Sequence, residues 1–175
     1  PGQNLAGAAP RELQLPKETG PAAGRLGRRE KGSTKEESEE QESSRKAPLP
    51  DKKIFELGIP ILGICFGLQV MAKFLNGKVE RGQKREYGKG TLSVKNSRCR
   101  LFAGLSKQLQ VWNSHGDKLT ELPQGFKTVA TTENSKFAAI ENSKSRYFGL
   151  QFHPEVVHTP KGKTIISNFV HKICG

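Results

Sequence analysis

Ile59-Pro60-Ile61-Leu62-Gly63-Ile64-Cys65-Phe66-Gly67-Leu68-Gln69 changes its periodicity in the middle, and that change decides the fold. Up to Ile64 the run is continuously apolar after its leading Pro, the pattern of a strand buried on both faces. From Phe66 onward, Leu68, Met71, Ala72 and Leu75 fall at i, i+3, i+4 and i+7, which predicts a helix that Asn76-Gly77 ends. A buried strand running straight into a helix places Cys65 on the turn between them. There, unpaired N–H groups and the positive end of the helix dipole favour a thiolate, the attacking form of cysteine. Gly63 and Gly67 flank it at two residues on either side, tolerating a strained backbone and leaving room for a substrate. Cys65 therefore reads as a nucleophile. Cys99 and Cys174 have no such setting and read as ordinary side chains.

Just before this run, Asp51 caps a short helical turn that Gly58 closes. Residues 79–111 read as short strands and turns, with 89–94 the clearest strand. Leu109 to Trp112 reads as a strand entering a polar loop, Asn113-Ser114-His115-Gly116-Asp117. Strands are further predicted over 126–131, 137–140 and 147–152, separated by Asn, Ser and Lys turns. The last element reads as a helix capped by Thr159, with Pro160 at its first position and an apolar stripe of Ile166, Phe169, Val170 and Ile173.

The strand over 147–152 delivers His153 to its C-terminal end, where sites in α/β sheets gather. Pro154 ends that strand, and Glu155 can turn back onto the imidazole, fixing its tautomer and stabilising its cation. His115 is a rival base, but its compact polar loop suits substrate contact better. Cys65, His153 and Glu155 together have the residue types of an activated-thiol hydrolase.

Composition divides the chain. Residues 1–50 hold no Ile, Val, Phe, Tyr, Trp, Met or Cys, so they cannot bury enough apolar surface to offset their ordering. Residues 1–46 are expected to be a disordered tail, and 47–175 the folded domain. The tail is nearly neutral, so the net charge of +12 belongs mostly to the domain. Its Lys residues are scattered and carry no interleaved aromatics, which argues for a solvated basic face and against nucleic-acid binding. Three cysteines without CxxC spacing suggest neither a disulfide framework nor a metal centre. No apolar run approaches the roughly 18 residues of a membrane span, and no signal-peptide pattern opens the chain. A reduced, cytoplasmic setting is expected.

Gly63-Ile64-Cys65-Phe66-Gly67-Leu68-Gln69, followed distally by His153-Pro154-Glu155, resembles the class I (Cys-His-Glu) glutamine amidotransferases. Within them, Val111 to Asp117 and His153 to Gly162 are similar to the amidotransferase domains of GMP synthetases. The resemblance runs from about Ala47 to Gly175. It implies a three-layer, flavodoxin-like α/β sheet, with Cys65, His153 and Glu155 as the triad. It further implies that the Phe66 N–H helps form an oxyanion hole, and that Gln69, Ser114, Gly116 and Asp117 hold the amino-acid end of glutamine. The ammonia would pass to an ATP-pyrophosphatase (synthetase) domain or subunit that aminates XMP. ATP and magnesium would belong to that unit, leaving no cofactor here.

The family opens with a strand, a helix and a Gly-Gly-Pro loop that supplies a second oxyanion donor. Residues 1–46 contain no Gly-Gly pair and no strand-like run. The domain is thus expected to lack its first strand-helix-strand unit and to be a poor glutaminase on its own. The chain begins with Pro and stops where a synthetase domain would start, as a piece of a longer protein would. Two other readings stay open: a stand-alone γ-glutamyl hydrolase or peptidase, and an inactive interaction module.

Overall fold

A computed structural model describes residues 48–175; the tail expected over 1–46 lies outside the described residues. Asp51 accepts a hydrogen bond from the Lys53 N–H (2.9 Å), starting a 3-10 turn, Lys52–Glu56, that Gly58 follows at φ +67°. The chain then forms β1 (Ile61–Ile64), α1 (Phe66–Phe74), β2 (Lys78–Val94) and a 3-10 turn at Arg100–Phe102. After these come β3 (Gln108–Glu121), β4 (Lys127–Thr131), β5 (Ala139–Asn142), β6 (Tyr147–Leu150) and α2 (Gly162–Asn168). A π-helical segment, Phe169–Cys174, continues α2.

The strands make a six-stranded sheet in the order β1-β6-β5-β4-β2-β3. β1 and β6 are parallel, with Gly63 opposite Gly149, and the other pairs are antiparallel. Helices cover both faces. Leu68, Met71 and Ala72 of α1 pack with Ile140, Tyr147 and Phe137 on one side. Ile165 and Ile173 pack with Phe148, Leu150, Ala139 and Leu101 on the other. β6 is buried at all four positions, as a strand covered on both faces must be. The three-layer α/β expectation is met.

Two glycines let α1 approach the sheet. A Cβ on Gly63 would lie 2.7 Å from the backbone of Gly67, and one on Gly149 would run into the Leu68 side chain. Gly67 meets nothing within 4 Å, so its lack of a side chain leaves open space beside Cys65. At the far end of α1, Asn76 takes φ +63° and the Gly77 N–H caps Ala72 (2.7 Å), as the sequence predicts.

Three local expectations need correction. Residues 79–111 are not short strands, and 113–117 is not a loop: both belong to a long hairpin of the 17-residue β2 and the 14-residue β3. What interrupts the hairpin is a bulge that takes in Gly82 and Gly116. Arg81 faces Asp117 and Glu86 faces His115, so residues 82–85 stand against Gly116 alone. Gly82 is required there, because a Cβ would lie 2.8 Å from the Gly116 carbonyl oxygen. The bend carries the middle of β3 back to α1, although β1 and β3 lie at opposite ends of the sheet order.

Thr159 does not cap the last helix, which starts at Gly162 after Lys161. The buried stripe is Ile165, Phe169 and Ile173, while Val170 is 45% exposed. The widened π segment moves the apolar positions off the predicted register. Finally, the strand over 147–152 stops at Leu150; Gln151 and His153 beyond it turn to the site, while Phe152 stays in the core.

Candidate active site

Cys65 sits between β1 and α1 at φ +48° and ψ −105°, a conformation L-residues adopt only under constraint. Its N–H donates to Leu150 O on β6 (2.7 Å), and its own carbonyl accepts from Gln69 N (3.3 Å). The turn is thereby locked from the strand side and from the helix side. The thiol contacts the Ser114 carbonyl (3.7 Å), and Gln151 Nε2 donates toward Sγ from 3.9 Å.

The expected depression of the Cys65 pKa is not found. Burial pushes the thiol up from its ordinary value, and the nearby Glu155 carboxylate adds to that; the Phe66 N–H and Gln151 pull the other way without prevailing. The helix N-terminus supplies the favourable contact the sequence predicts, but desolvation of S⁻ outweighs it. The raised pKa favours the thiol over the thiolate, so a neighbouring group able to take its proton bears on its reactivity. Cys99 is further removed from chemistry: burial, followed by contact with Glu141, raises its pKa to about 12.

The residue predicted as that base, His153, stands at the neighbouring strand end. His153 follows β6, which pairs in parallel with β1, so both residues emerge at one edge of the sheet. Its Nδ1 lies 2.6 Å from Glu155 Oε1. The short contact fixes Nδ1 as the protonated nitrogen facing the carboxylate and leaves Nε2 available for proton transfer.

The loop carrying the pair is tied to β3. The His153 N–H donates to Trp112 O (2.9 Å), and Thr159 Oγ1 donates to His153 O (2.6 Å) while accepting from Trp112 N (3.0 Å). Gln110 Nε2 adds a bond to His158 O, and the His158 ring lies 4.4 Å from the Trp112 ring, centroid to centroid. Gly162 belongs to the same construction, since any Cβ there would collide with the Pro154 carbonyl. Thr159 thus staples the His153 loop to β3. Sequence reading missed this because a Thr-Pro pair before an apolar stripe has the form of a helix start.

The remaining predicted residues converge on the same place. Phe66 opens α1 and is 38% exposed. Gln69 Nε2 donates to Asp117 O (3.1 Å), joining α1 to β3. Ser114 is exposed beside Cys65, and Gly116 and Asp117 are half-buried on the strand that follows. His115 does not enter the site: its side chain is 5% exposed and turned toward Glu86. A thiol, an oriented imidazole and a wall of strand backbone can carry out acyl transfer from an amide.

Comparison with known proteins agrees with this geometry. Residues 36–173 match the family Glutamine amidotransferase class-I. A GMP synthase [glutamine-hydrolyzing] of Debaryomyces hansenii is 57% identical over 129 residues, covering 73% of this chain and 24% of that protein. One from Aquifex aeolicus is 51% identical over 128 residues, covering 73% and 25%. The chain therefore spans about a quarter of the length of these relatives. Among solved structures, a GMP synthase component from Thermoplasma acidophilum superposes with TM-score 0.66 at 33% identity. That alignment covers 79% of this chain and 66% of the other. With a family match over most of its length and a thiol poised at the turn between β1 and α1, the chain belongs to the class I glutamine amidotransferases.

Proposed function

We propose that this domain hydrolyses glutamine to glutamate and ammonia through a thioester on Cys65. The observation that carries the reading is the placement of Cys65 and the His153–Glu155 pair on adjacent parallel strand ends. In the proposed sequence, His153 Nε2 takes the thiol proton as sulfur attacks the carboxamide carbon. The oxyanion that forms accepts from the Phe66 N–H. His153⁺ then gives its proton to the departing nitrogen, and ammonia leaves. Water, deprotonated by the same imidazole, attacks the thioester and releases glutamate, restoring the thiol. Glu155 keeps the ring in one tautomer and stabilises its cation. Ser114, Gly116 and Asp117, with Gln69 behind them, form the wall for the amino-acid end of the substrate.

The names of the relatives support a further step as part of the same proposal. Ammonia is delivered to a synthetase domain or subunit that converts XMP to GMP in purine nucleotide synthesis, and ATP and magnesium bind in that unit. A cytoplasmic setting is supported by cysteines that are all unpaired.

A glutamine-like diazo-ketone tests the reading. It is expected to alkylate Cys65 alone among the three cysteines, read by peptide mass spectrometry, and to leave a Cys65→Ser protein unlabelled. Labelling that persists in Cys65→Ser would reject the assignment. Glutamate release measured with and without a synthetase partner then distinguishes a partnered amidotransferase from a free-standing hydrolase or an inactive module.

The staple at Thr159 gives a second expectation. Thr159→Val removes one hydroxyl that makes two hydrogen bonds, and at about 1 kcal/mol each the loss is about tenfold to thirtyfold in kcat/KM for glutamine. Unchanged kinetics in Thr159→Val would mean that the loop holds His153 without it.

A further inference from the structure

We propose that Glu86 and His115 are positioning residues that hold the Ser114–Asp117 backbone against the nucleophile helix for binding of the substrate's amino-acid end. The inference rests on the glutaminase reading above and deepens it.

Both side chains are buried, at 8% and 5% exposure, on neighbouring strands of the hairpin where Glu86 faces His115 in register. His115 Nδ1 lies 3.1 Å from Asp117 O, an acceptor only, so Nδ1 carries a proton. Its Nε2 lies 3.2 Å from Glu86 Oε2, at ion-pair distance, and has no hydrogen-bond partner among the described residues. The carboxylate in turn accepts from Thr132 Oγ1 at 2.8 and 3.1 Å, and that hydroxyl accepts from Ser135 N (3.1 Å). Burial raises the Glu86 carboxyl, but the His115 ring and the Thr132 hydroxyl outweigh it and hold it below the usual carboxylate range.

The Asp117 carbonyl is the joint of this network. It accepts from His115 on one side and from Gln69 Nε2, at 3.1 Å, on the other. A continuous polar path therefore runs from the end of β4 through Glu86, His115 and the β3 backbone to the first turn of α1, behind Cys65. It crosses β2 directly after the bulge at residues 82–85, where the hairpin has no regular ladder to fix it. Neither side chain touches the thiol. What they fix is the backbone that faces it.

Reagents that do and do not need that wall test the role. The diazo-ketone carries an amino-acid end; iodoacetamide does not. In Glu86→Ala, inactivation by the diazo-ketone is expected to slow by about tenfold or more, since a buried polar group loses its partner. Iodoacetamide alkylation of Cys65 is expected to stay within about threefold, because the turn that holds the thiol is built by β1, β6 and α1. Glu86→Gln is expected to restore diazo-ketone reactivity to within about threefold: its amide oxygen accepts from Thr132 and its NH₂ group takes the place of the second carboxylate oxygen beside His115 Nε2.

Three results would overturn the proposal. They are Glu86→Ala reacting with the diazo-ketone like the parent chain, Glu86→Ala losing both reactions equally, and Glu86→Gln being as slow as Glu86→Ala. Should Glu86→Ala not fold, Thr132→Val is read by the same criteria. A parent chain that the diazo-ketone leaves unlabelled would reject the glutaminase reading itself, and the two failures are thereby distinguished.

Discussion

Cys65→Ala is expected to reduce glutamine hydrolysis by at least about 10⁴-fold, because removing the nucleophile of a thiol or hydroxyl hydrolase leaves only binding and oxyanion stabilisation. The same position stores backbone strain, and that separates two effects of substitution. Ala keeps a Cβ at φ +48°, where L-residues are strained, whereas Gly adopts this region freely. Cys65→Gly is expected to be as inactive as Cys65→Ala yet more stable by about 1 kcal/mol, a part of the 1–3 kcal/mol such a conformation costs. Thermal unfolding of the two variants measures the difference directly. If Cys65→Gly melts no higher than Cys65→Ala, the turn is not strained, and the argument that the sheet and helix force Cys65 into position fails.

His153→Asn is expected to lower turnover by about 10³–10⁴-fold, the scale on which a general base that also serves as acid contributes. The upward shift of the Cys65 pKa by burial is in line with a need for a proton acceptor. Asn fills the site but cannot carry the proton. Glu155→Gln should cost less, about tenfold to a hundredfold, because Glu155 is 48% exposed and water screens part of its effect on the imidazolium. Steady-state glutamate release gives both numbers. A His153→Asn protein within tenfold of the parent would require another base, and His115, at 5% exposure and turned toward Glu86, is not available for that task.

The sequence made some parts of this arrangement legible and hid others for identifiable reasons. β1 and α1 were readable because a two-sided strand and a one-sided helix leave different periods, and Gly63 and Gly67 marked the turn. His153 and Glu155 were readable because a Pro after an apolar strand fixes where the chain leaves the sheet. The hairpin was not. Its outer half is solvated and rich in Lys, Glu and Gly, so β2 carries little alternation and its bulge mimics a turn. Glu86 and His115 were hidden for the same reason: a carboxylate in such a segment reads as solvated, and only pairing across the strands buries it. Thr159 was misplaced because its hydroxyl bonds β3, a partner 47 residues away, rather than the adjacent helix.

The long-range pairing of β1 with β6 also has a consequence for how the chain comes by its activity. Gln151 reaches the Cys65 thiol from 86 residues farther along the chain, and the Cys65 N–H is held by a carbonyl next to it. Closing so distant a contact costs loop entropy that no local structure repays. During synthesis the thiol emerges well before the imidazole that serves it. Until β6 inserts beside β1, Cys65 is an unguarded cysteine at the edge of an incomplete sheet. The arrangement proposed for glutamine hydrolysis therefore exists only once β6 has paired with β1, and a chain in which that pairing has not formed is expected to be inactive.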